Sequence, residues 1–171
     1  MGKMQGIMGH PGSYWVEFTR VLTLTAFALV TVSLLGAEAR AQQVVAPITL
    51  EQAMTAANAA MAEAKKLNSS MVIAVVEPNG SLVYFVKMDG APYGSVKVAI
   101  AKAVSAALYR RPSKEFADRV AKGDLSPMAL VDAVASAGGV PIVVSGKFIG
   151  AVGSSGGQDH LVSQAGADAL K

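Results

Sequence analysis

Several side chains in the second half of the chain have the types and positions that suit the binding of an anion. Lys102 lies on an otherwise apolar helical stretch and could bind a carboxylate or a phosphate, and nearby Arg111 favours the same class of ligand. Alternatively, Lys102 buries its stem and keeps its ammonium in water. Asp89, which precedes Gly90, could be catalytic or could simply hold a turn through the backbone. The residues alone leave these alternatives open.

A glycine-rich loop, Gly150–Gly157, precedes the last predicted helix and contains Ser155. Free backbone N–H groups and the helix dipole favour an anion at such a position. The loop is not a dinucleotide-binding fingerprint, because its glycine spacing differs and the preceding strand belongs to a hairpin. We therefore consider two interpretations, an anion-binding loop and a tight turn with Asp159 as the helix cap.

Few residues could ligate a metal. Of the two histidines, His160 falls in the first turn of a predicted helix, where the neutral, ligating form of imidazole is favoured. Tyr93 and Tyr109 are further candidates, whereas most methionines fall in core patterns. His160 could equally be a surface histidine without a role. No histidine–carboxylate cluster suits zinc and no serine–histidine–aspartate order stands out, so the sequence does not support a hydrolase.

Composition excludes several classes of protein. The chain has 171 residues, no cysteine, 52% hydrophobic residues and a formal charge of +3. Without cysteine there is neither a disulfide scaffold nor a thiolate metal site, and the apolar content is too high for a disordered chain. The small positive charge, without a basic run, argues against a dedicated nucleic-acid binder. The length allows one domain.

The first part of the chain has the pattern of an export signal. Val21–Leu35 is an uncharged apolar run that follows Arg20 and precedes an Ala39-x-Ala41 sequence, which predicts a secretory signal over residues 1–41. The run is shorter than the roughly 20 apolar residues of a membrane span, although an uncleaved anchor is an alternative. The true start could also be internal. We expect an exported, periplasmic or secreted domain of residues 42–171 that is free of the membrane after cleavage.

The remaining elements follow from local patterns. Thr49 and Gln52 form a capping box before an amphipathic helix that ends near Asn68, and Ser113 can cap a short helix after the Arg110–Pro112 break. The other predicted elements are strands Met71–Val76 and Leu82–Met88, helix Ser95–Tyr109, a weak helix or coil over Pro127–Ala137, strands Val140–Val144 and Lys147–Val152, and helix Asp159–Leu170.

Two hairpins separated by helices predict an α+β fold, in which an antiparallel sheet built from the two hairpins is flanked by helices in a single compact domain. Helix Ser95–Tyr109 is apolar nearly all round, which indicates burial on more than one side. We expect the sheet to cover one face and a second subunit or a flat ligand to cover the other.

Four motifs follow each other along the chain: Leu82–Phe85 running into Met88–Pro92, Ala101–Ala103 before Arg111–Pro112, Gly138–Ile142, and Gly150–Gly156. Taken together and in this order, they resemble the GlcG/HbpS family from about Ile48 to the C-terminus. The resemblance implies a compact domain with an antiparallel sheet that forms homo-oligomers. Some members of the family bind haem, and exported members are linked to haem sensing and oxidative stress. Others occur alongside glycolate or propanediol utilisation proteins.

The family pattern carries over residue by residue to Asp89, Gly90, Lys102, Arg111, Pro112, Gly138, Gly139, Pro141, Gly153 and Asp159. It does not carry over a haem ligand. We therefore expect an exported, oligomeric haem-binding protein, in haem sensing, storage or oxidative-stress response, and not an enzyme in the ordinary sense. The haem would lie in an apolar groove near the Met88–Gly94 loop and helix Ser95–Tyr109. Lys102 and Arg111 would bind its propionates, and His160, Tyr93 or Tyr109 would bind its iron.

An alternative function is a small-molecule enzyme or carboxylate binder. In this interpretation Asp89, Lys102 and the Gly153–Gly157 loop converge on a hydroxy-acid-sized substrate. A purely structural oligomer without a ligand is a third possibility. The first two differ in a simple property of the site, since a haem groove is wide and apolar and a hydroxy-acid site is small and polar.

Overall fold

The computed structural model of the protein describes residues 46–171. The predicted signal over residues 1–41 and its cleavage site lie outside the described residues. Within residues 46–171, no helix is long and apolar enough to cross a membrane.

In the described part of the chain, eight helices and strands and one short 3-10 helix follow each other in the predicted order. They are α1 (Leu50–Lys66), β1 (Val72–Val76), β2 (Leu82–Lys87), α2 (Ser95–Tyr109), α3 (Ser113–Ala121), a 3-10 helix (Ser126–Ala129), β3 (Gly139–Val144), β4 (Lys147–Ser155) and α4 (Asp159–Asp168). The predicted α+β class is confirmed, and the bounds of α2 are those predicted. Only the 3-10 helix forms in the Pro127–Ala137 region, where a weak helix or coil was expected.

The four strands form one antiparallel sheet in the order β2-β1-β4-β3. The two hairpins therefore join through β1 and β4, where Val72 pairs with Ser155. All five residues of β1 are buried, as expected for a central strand. Pro141 lies in β3, an edge strand, as expected for a residue without a backbone N–H.

Helices cover both faces of the sheet. Alternate residues of β1 point to opposite faces, so Ile73 and Val75 join the core beneath α1 and α4, while Val72 and Ala74 join the core beneath α2. The result is a three-layer domain in which α2 alone among the longer helices packs against the second face.

Local sequence explains the ends of the elements. The side chain of Thr49 accepts a hydrogen bond from the backbone N–H of Gln52, whose own side chain reaches back to the Thr49 backbone, so the predicted capping box is confirmed. In the β3–β4 turn, Ser145 and Gly146 both have positive φ, 49° and 75°. This pair of left-handed residues matches the twist of an antiparallel hairpin.

The predicted capping role of Ser113 is wrong. Pro112 is the N-cap of α3 and Ser113 is its first residue, without a capping hydrogen bond. Its hydroxyl instead donates to the carbonyl of Ser136 at 2.7 Å and accepts from the N–H of Gly139 at 2.8 Å. The hydroxyl therefore satisfies one backbone carbonyl before β3 and one backbone N–H at its first residue. Strand β4 is also longer than predicted and continues to Ser155.

Helix α2 packs on the sheet with its backbone nearly in contact with the strands. A Cβ atom at Gly153 would overlap the carbonyl of Ala99 and the backbone of Ala103, and one at Gly139 would overlap the carbonyl of Lys102. The inner face of α2 is correspondingly built from alanines. Glycine on the strands and alanine on the helix therefore set how closely α2 approaches the sheet.

We predict that Gly153→Ala lowers the free energy of unfolding by about 1–3 kcal/mol or more, because the added methyl group can be accommodated only if α2 moves away from the sheet. Urea unfolding followed by circular dichroism measures the change. Gly94→Ala is the matched control, since nothing lies within 4 Å of a Cβ at Gly94 and its φ is −61°. Equal stability of the two variants would contradict the packing argument.

Candidate functional site

A buried ion pair joins α2 to the start of α4. The ammonium Nζ of Lys102 lies 2.5 Å from Oδ2 of Asp159, and the two side chains are 3% and 17% exposed. Burial of a lysine is costly unless its charge is paired. The side chain of Lys102 therefore has a partner within the protein, 57 positions further along the chain.

The second oxygen of the same carboxylate binds the glycine-rich loop. Oδ1 of Asp159 accepts hydrogen bonds from the backbone N–H groups of Gly156 and Gly157, both at 2.9 Å. Asp159 is the first residue of α4, and Gln158 is its N-cap without a side-chain bond. The loop thus binds an anion, but that anion is a carboxylate of the chain itself. This arrangement corresponds to the predicted tight turn, with Asp159 one position inside the helix.

Two buried serines make further hydrogen bonds beside the Lys102–Asp159 pair. The hydroxyls of Ser154 and Ser163 lie 2.7 Å apart, and they reach the carbonyls of Asp159 and Gly138, each at 2.6 Å. Each hydroxyl carries one hydrogen, so two of these three contacts are hydrogen bonds at a time. Gly138 has φ +129°, and a Cβ there would lie 2.7 Å from that of Asp159. The position therefore requires glycine.

Beside this polar cluster lies a surface recess of about 430 Å³ at the N-terminus of α4, lined by Ser136, Ala137, Gly157, Gln158, Asp159, His160 and Leu161. Nδ1 of His160 is buried, and among residues 46–171 it is the one buried side-chain nitrogen or oxygen atom without a hydrogen-bond partner. In the same residues, no group of three or more histidine, cysteine or acidic side chains could hold a metal ion. His160 is thus a possible nitrogen ligand that has no group of further ligating side chains around it.

A second recess, which we call the α2 groove, lies on the outer face of α2 and measures about 450 Å³. Its helical wall consists of Lys97, Ile100, Ala101 and Val104, and its other wall of Asp132, Ala133 and Val134. Five of the seven lining side chains are apolar, and the two charged ones have opposite signs. The groove is therefore apolar with a charged margin.

One segment without regular structure, residues 131–137, separates the two recesses. We call it the strap. Side-chain hydroxyls hold it to the helices: Tyr109 donates to the carbonyl of Val131 at 2.5 Å, and Ser105 accepts from the N–H of Val134 at 3.0 Å. The Ser113 bond described above holds its far end. The strap forms a wall of each recess, and the two recesses have no lining residue in common.

The remaining predicted site residues do not meet in either recess. Asp89 is exposed in the turn before Gly90, which has φ +77°. Tyr93 is 91% exposed, with the ammonium of Lys87 5.5 Å from its ring centre. The buried hydroxyl of Ser155 donates to that of Ser95 at 3.2 Å. Their predicted roles in ligand binding stay predictions.

The two candidates at the end of α2 lie near each other. The guanidinium of Arg111 donates to the carbonyl of Tyr109 at 3.3 Å and lies 3.9 Å from the carboxylate of Glu115. Tyr109 stacks edge-on against Phe116, with ring centres 5.2 Å apart. Arg111 is exposed and available to a ligand, whereas the Tyr109 hydroxyl is bonded to the strap.

Sequence reasoning did not identify Lys97, the lysine that lines the α2 groove. The signal that could have identified it is simple, because Lys97 and Lys102 are the two charged residues of α2 and they lie on different faces. Lys102 is 2% exposed, so it is Lys97 that faces solvent beside the apolar stripe.

The fold is that of a small α+β domain with one antiparallel sheet between helical layers. The chain belongs to the HbpS-like family of haem degrading proteins, whose family model matches residues 48–168. The predicted GlcG/HbpS membership is thereby confirmed.

Individual relatives agree with this assignment. Protein GlcG of Escherichia coli K12 is 37% identical over 110 residues, which are 63% of this chain and 82% of that protein. The structure of HbpS from Streptomyces reticuli has a TM-score of 0.67 and 30% identity, covering 77% of this chain and 94% of that one. A PduOC:haem complex has a TM-score of 0.65 and 25% identity, covering 73% and 96%.

We predict that Lys102→Met lowers the free energy of unfolding by about 3 kcal/mol, because it leaves the carboxylate of Asp159 largely buried without its cation. Thermal or urea unfolding measures the change. Lys114→Met is the control, since Lys114 pairs with Asp118 on the surface, where the two side chains are 47% and 50% exposed, and such pairs contribute about 1 kcal/mol or less. If both variants lower the free energy of unfolding by a similar small amount, the buried pair stabilises the fold no more than a surface pair does.

Proposed function

We propose that this protein binds haem and that the α2 groove is the binding site. The observation that carries the proposal is an apolar groove of about 450 Å³ on a helix whose outer face is apolar. This volume falls in the range of roughly 300–1,000 Å³ that is usual for small-molecule sites. Membership of a haem degrading protein family and the haem complex of a structural relative support the same ligand.

The residues of the groove fit the body of a haem better than its iron. Ile100, Val104 and Val134 offer apolar contact to a flat macrocycle, but no lining residue of the groove is a histidine, tyrosine or methionine. When bound, haem would supply an iron whose chemistry depends on its axial ligand and on the polarity around it. The ligand must therefore come from beside the groove or from across the strap.

His160 remains our first candidate for the iron ligand. Its Nδ1 has no hydrogen-bond partner among residues 46–171, whereas the hydroxyl of Tyr109 is bonded to Val131 and Tyr93 is almost fully exposed. His160 lines the other recess, which has no lining residue in common with the groove, so coordination of a haem in the groove would require a rearrangement. Tyr109, at the end of α2, is the alternative ligand.

We further propose that the protein is exported and forms homo-oligomers. The pattern of residues 1–41, a basic residue before an uncharged apolar run and an Ala39-x-Ala41 sequence after it, supports export. Large apolar side chains exposed near the strap support assembly, since Leu125, Met128 and Val131 are 66%, 68% and 79% exposed and apolar patches of this kind are commonly covered by a partner. A role in haem sensing, storage or oxidative-stress response would follow from binding and export together.

The hydroxy-acid alternative has less support. The groups that it needs are the Lys102 ammonium and the amides of the Gly153–Gly157 loop, and Asp159 already binds both. A substrate carboxylate would have to displace a carboxylate that the fold holds in place. Asp89 is exposed in a separate turn.

The proposal is tested by titrating haem into residues 42–171 and into the full chain, following the Soret band against a protein that does not bind haem. A saturating shift at a fixed stoichiometry is the expected result. A weak drift without saturation would indicate adsorption to apolar surface, and the hydroxy-acid alternative would then become the first candidate.

We predict that His160→Ala shifts the Soret band or weakens haem binding, because it removes the proposed iron ligand. Gln158→Ala is the matched control, since Gln158 lines the same recess and its side chain makes no capping bond. If the spectrum and affinity of His160→Ala equal those of the control, His160 is not the ligand. Tyr109→Phe and Tyr93→Phe, measured in the same titration, then decide between the tyrosines.

A further inference from the structure

The outer face of α2 is unusual for a surface helix. Val98 and Leu108 are 39% and 43% exposed, Ala101 is exposed, and Ile100 and Val104 are half-buried. A helix at a protein surface normally carries several charged side chains on the face that meets water. On this face α2 carries one, Lys97, because its other lysine is buried.

Lys97 has an ammonium group without an ionic partner among residues 46–171. None of the ion pairs between described residues includes it, which is also true of four other exposed lysines. Lys97 differs from them in that it lines the α2 groove. Asp132 lines the opposite wall of the α2 groove but does not pair with it. The groove therefore combines an apolar surface with one unpaired cation at its helical wall.

We propose that Lys97 binds a carboxylate of the ligand in the α2 groove, so that the groove selects flat apolar molecules that carry a carboxylate over neutral ones. This inference rests on the proposed function, in which the ligand is haem, and it assigns the propionate-binding role to Lys97 in place of Lys102. The apolar stripe from Lys97 to Val104 spans about two helical turns, or roughly 10 Å. A macrocycle that lay along that stripe with its carboxylates toward the N-terminal end of α2 would bring them to Lys97.

The charge of Asp132 favours one orientation of the ligand in the α2 groove. A carboxylate on the ligand is attracted by Lys97 on the helix and repelled by Asp132 on the strap. The ligand would therefore place its charged edge on the helical side of the groove. A neutral analogue of the same shape would feel neither effect.

The test is a thermodynamic cycle on the full-length protein with two probes, haem and haem dimethyl ester, which lacks free carboxylates. Both are titrated into the wild type, Lys97→Met and Lys65→Met. Lys65 is the matched control, since it is an exposed lysine without an ion pair in α1, on the other face of the sheet. We expect Lys97→Met to weaken haem binding roughly fivefold, as for a partly exposed ion pair, and to leave ester binding unchanged.

Salt provides a second readout. The difference between haem and its ester in the wild type should shrink as ionic strength rises, because exposed charges are screened. It should be absent at all salt concentrations in Lys97→Met. Asp132→Asn should tighten haem binding and leave ester binding unchanged.

Three results would overturn the inference. If Lys97→Met binds haem as tightly as Lys65→Met does, the carboxylate lies elsewhere, although haem binding itself stands. If it loses haem and ester binding equally, Lys97 acts through packing. If it changes the mass of the assembly in light scattering, a second copy covers this face. If the wild type binds neither probe, the proposed function fails as well, which distinguishes that failure from the other three.

Discussion

The packing of the second sheet face depends on one buried ion pair. Lys102 extends from the inner face of α2, where its side chain is 3% exposed, to Asp159 at the start of α4. Neither charge could stay buried alone. Asp159 is also held by the amides of Gly156 and Gly157, so the same carboxylate ties the helix, the loop and the end of β4 together. Because this one carboxylate has bonds to the helix and to the loop after β4, it favours a single arrangement of these elements.

The ion pair has a consequence for the opposite face of the helix. Because Lys102 and the alanines of α2 turn toward the sheet, and because glycines at Gly139 and Gly153 let the backbone approach closely, the rotation of α2 about its axis is set. Val98, Ala101 and Leu108 must then face outward. The apolar outer face is thus the product of how the inner face is anchored, and it leaves a surface that a ligand or a subunit can cover.

Local patterns were enough to predict the order of elements, the capping box at Thr49 and the bounds of α2, since each depends on neighbours in the sequence. The candidate site was harder to predict, because its partners are distant in sequence. Lys102 and Asp159 are 57 positions apart, and periodicity places each on its helix without bringing them together. Ser113 resembled a cap, yet its hydroxyl serves Ser136 and Gly139, more than 20 residues away. Contacts between residues so far apart in sequence become visible only when the arrangement of the strands and helices is known.

The strap lies between the two recesses and lines both of them. It contributes Asp132, Ala133 and Val134 to the α2 groove, and Ser136 and Ala137 to the recess of His160. It has no ladder of its own, and individual hydroxyls of α2 and α3 hold it. Few bonds to the backbone mean that such a segment opens at lower free energy than the sheet does. The two recesses therefore lie against different parts of one segment that few hydrogen bonds hold in place, and a ligand that contacted both would have to contact the segment itself.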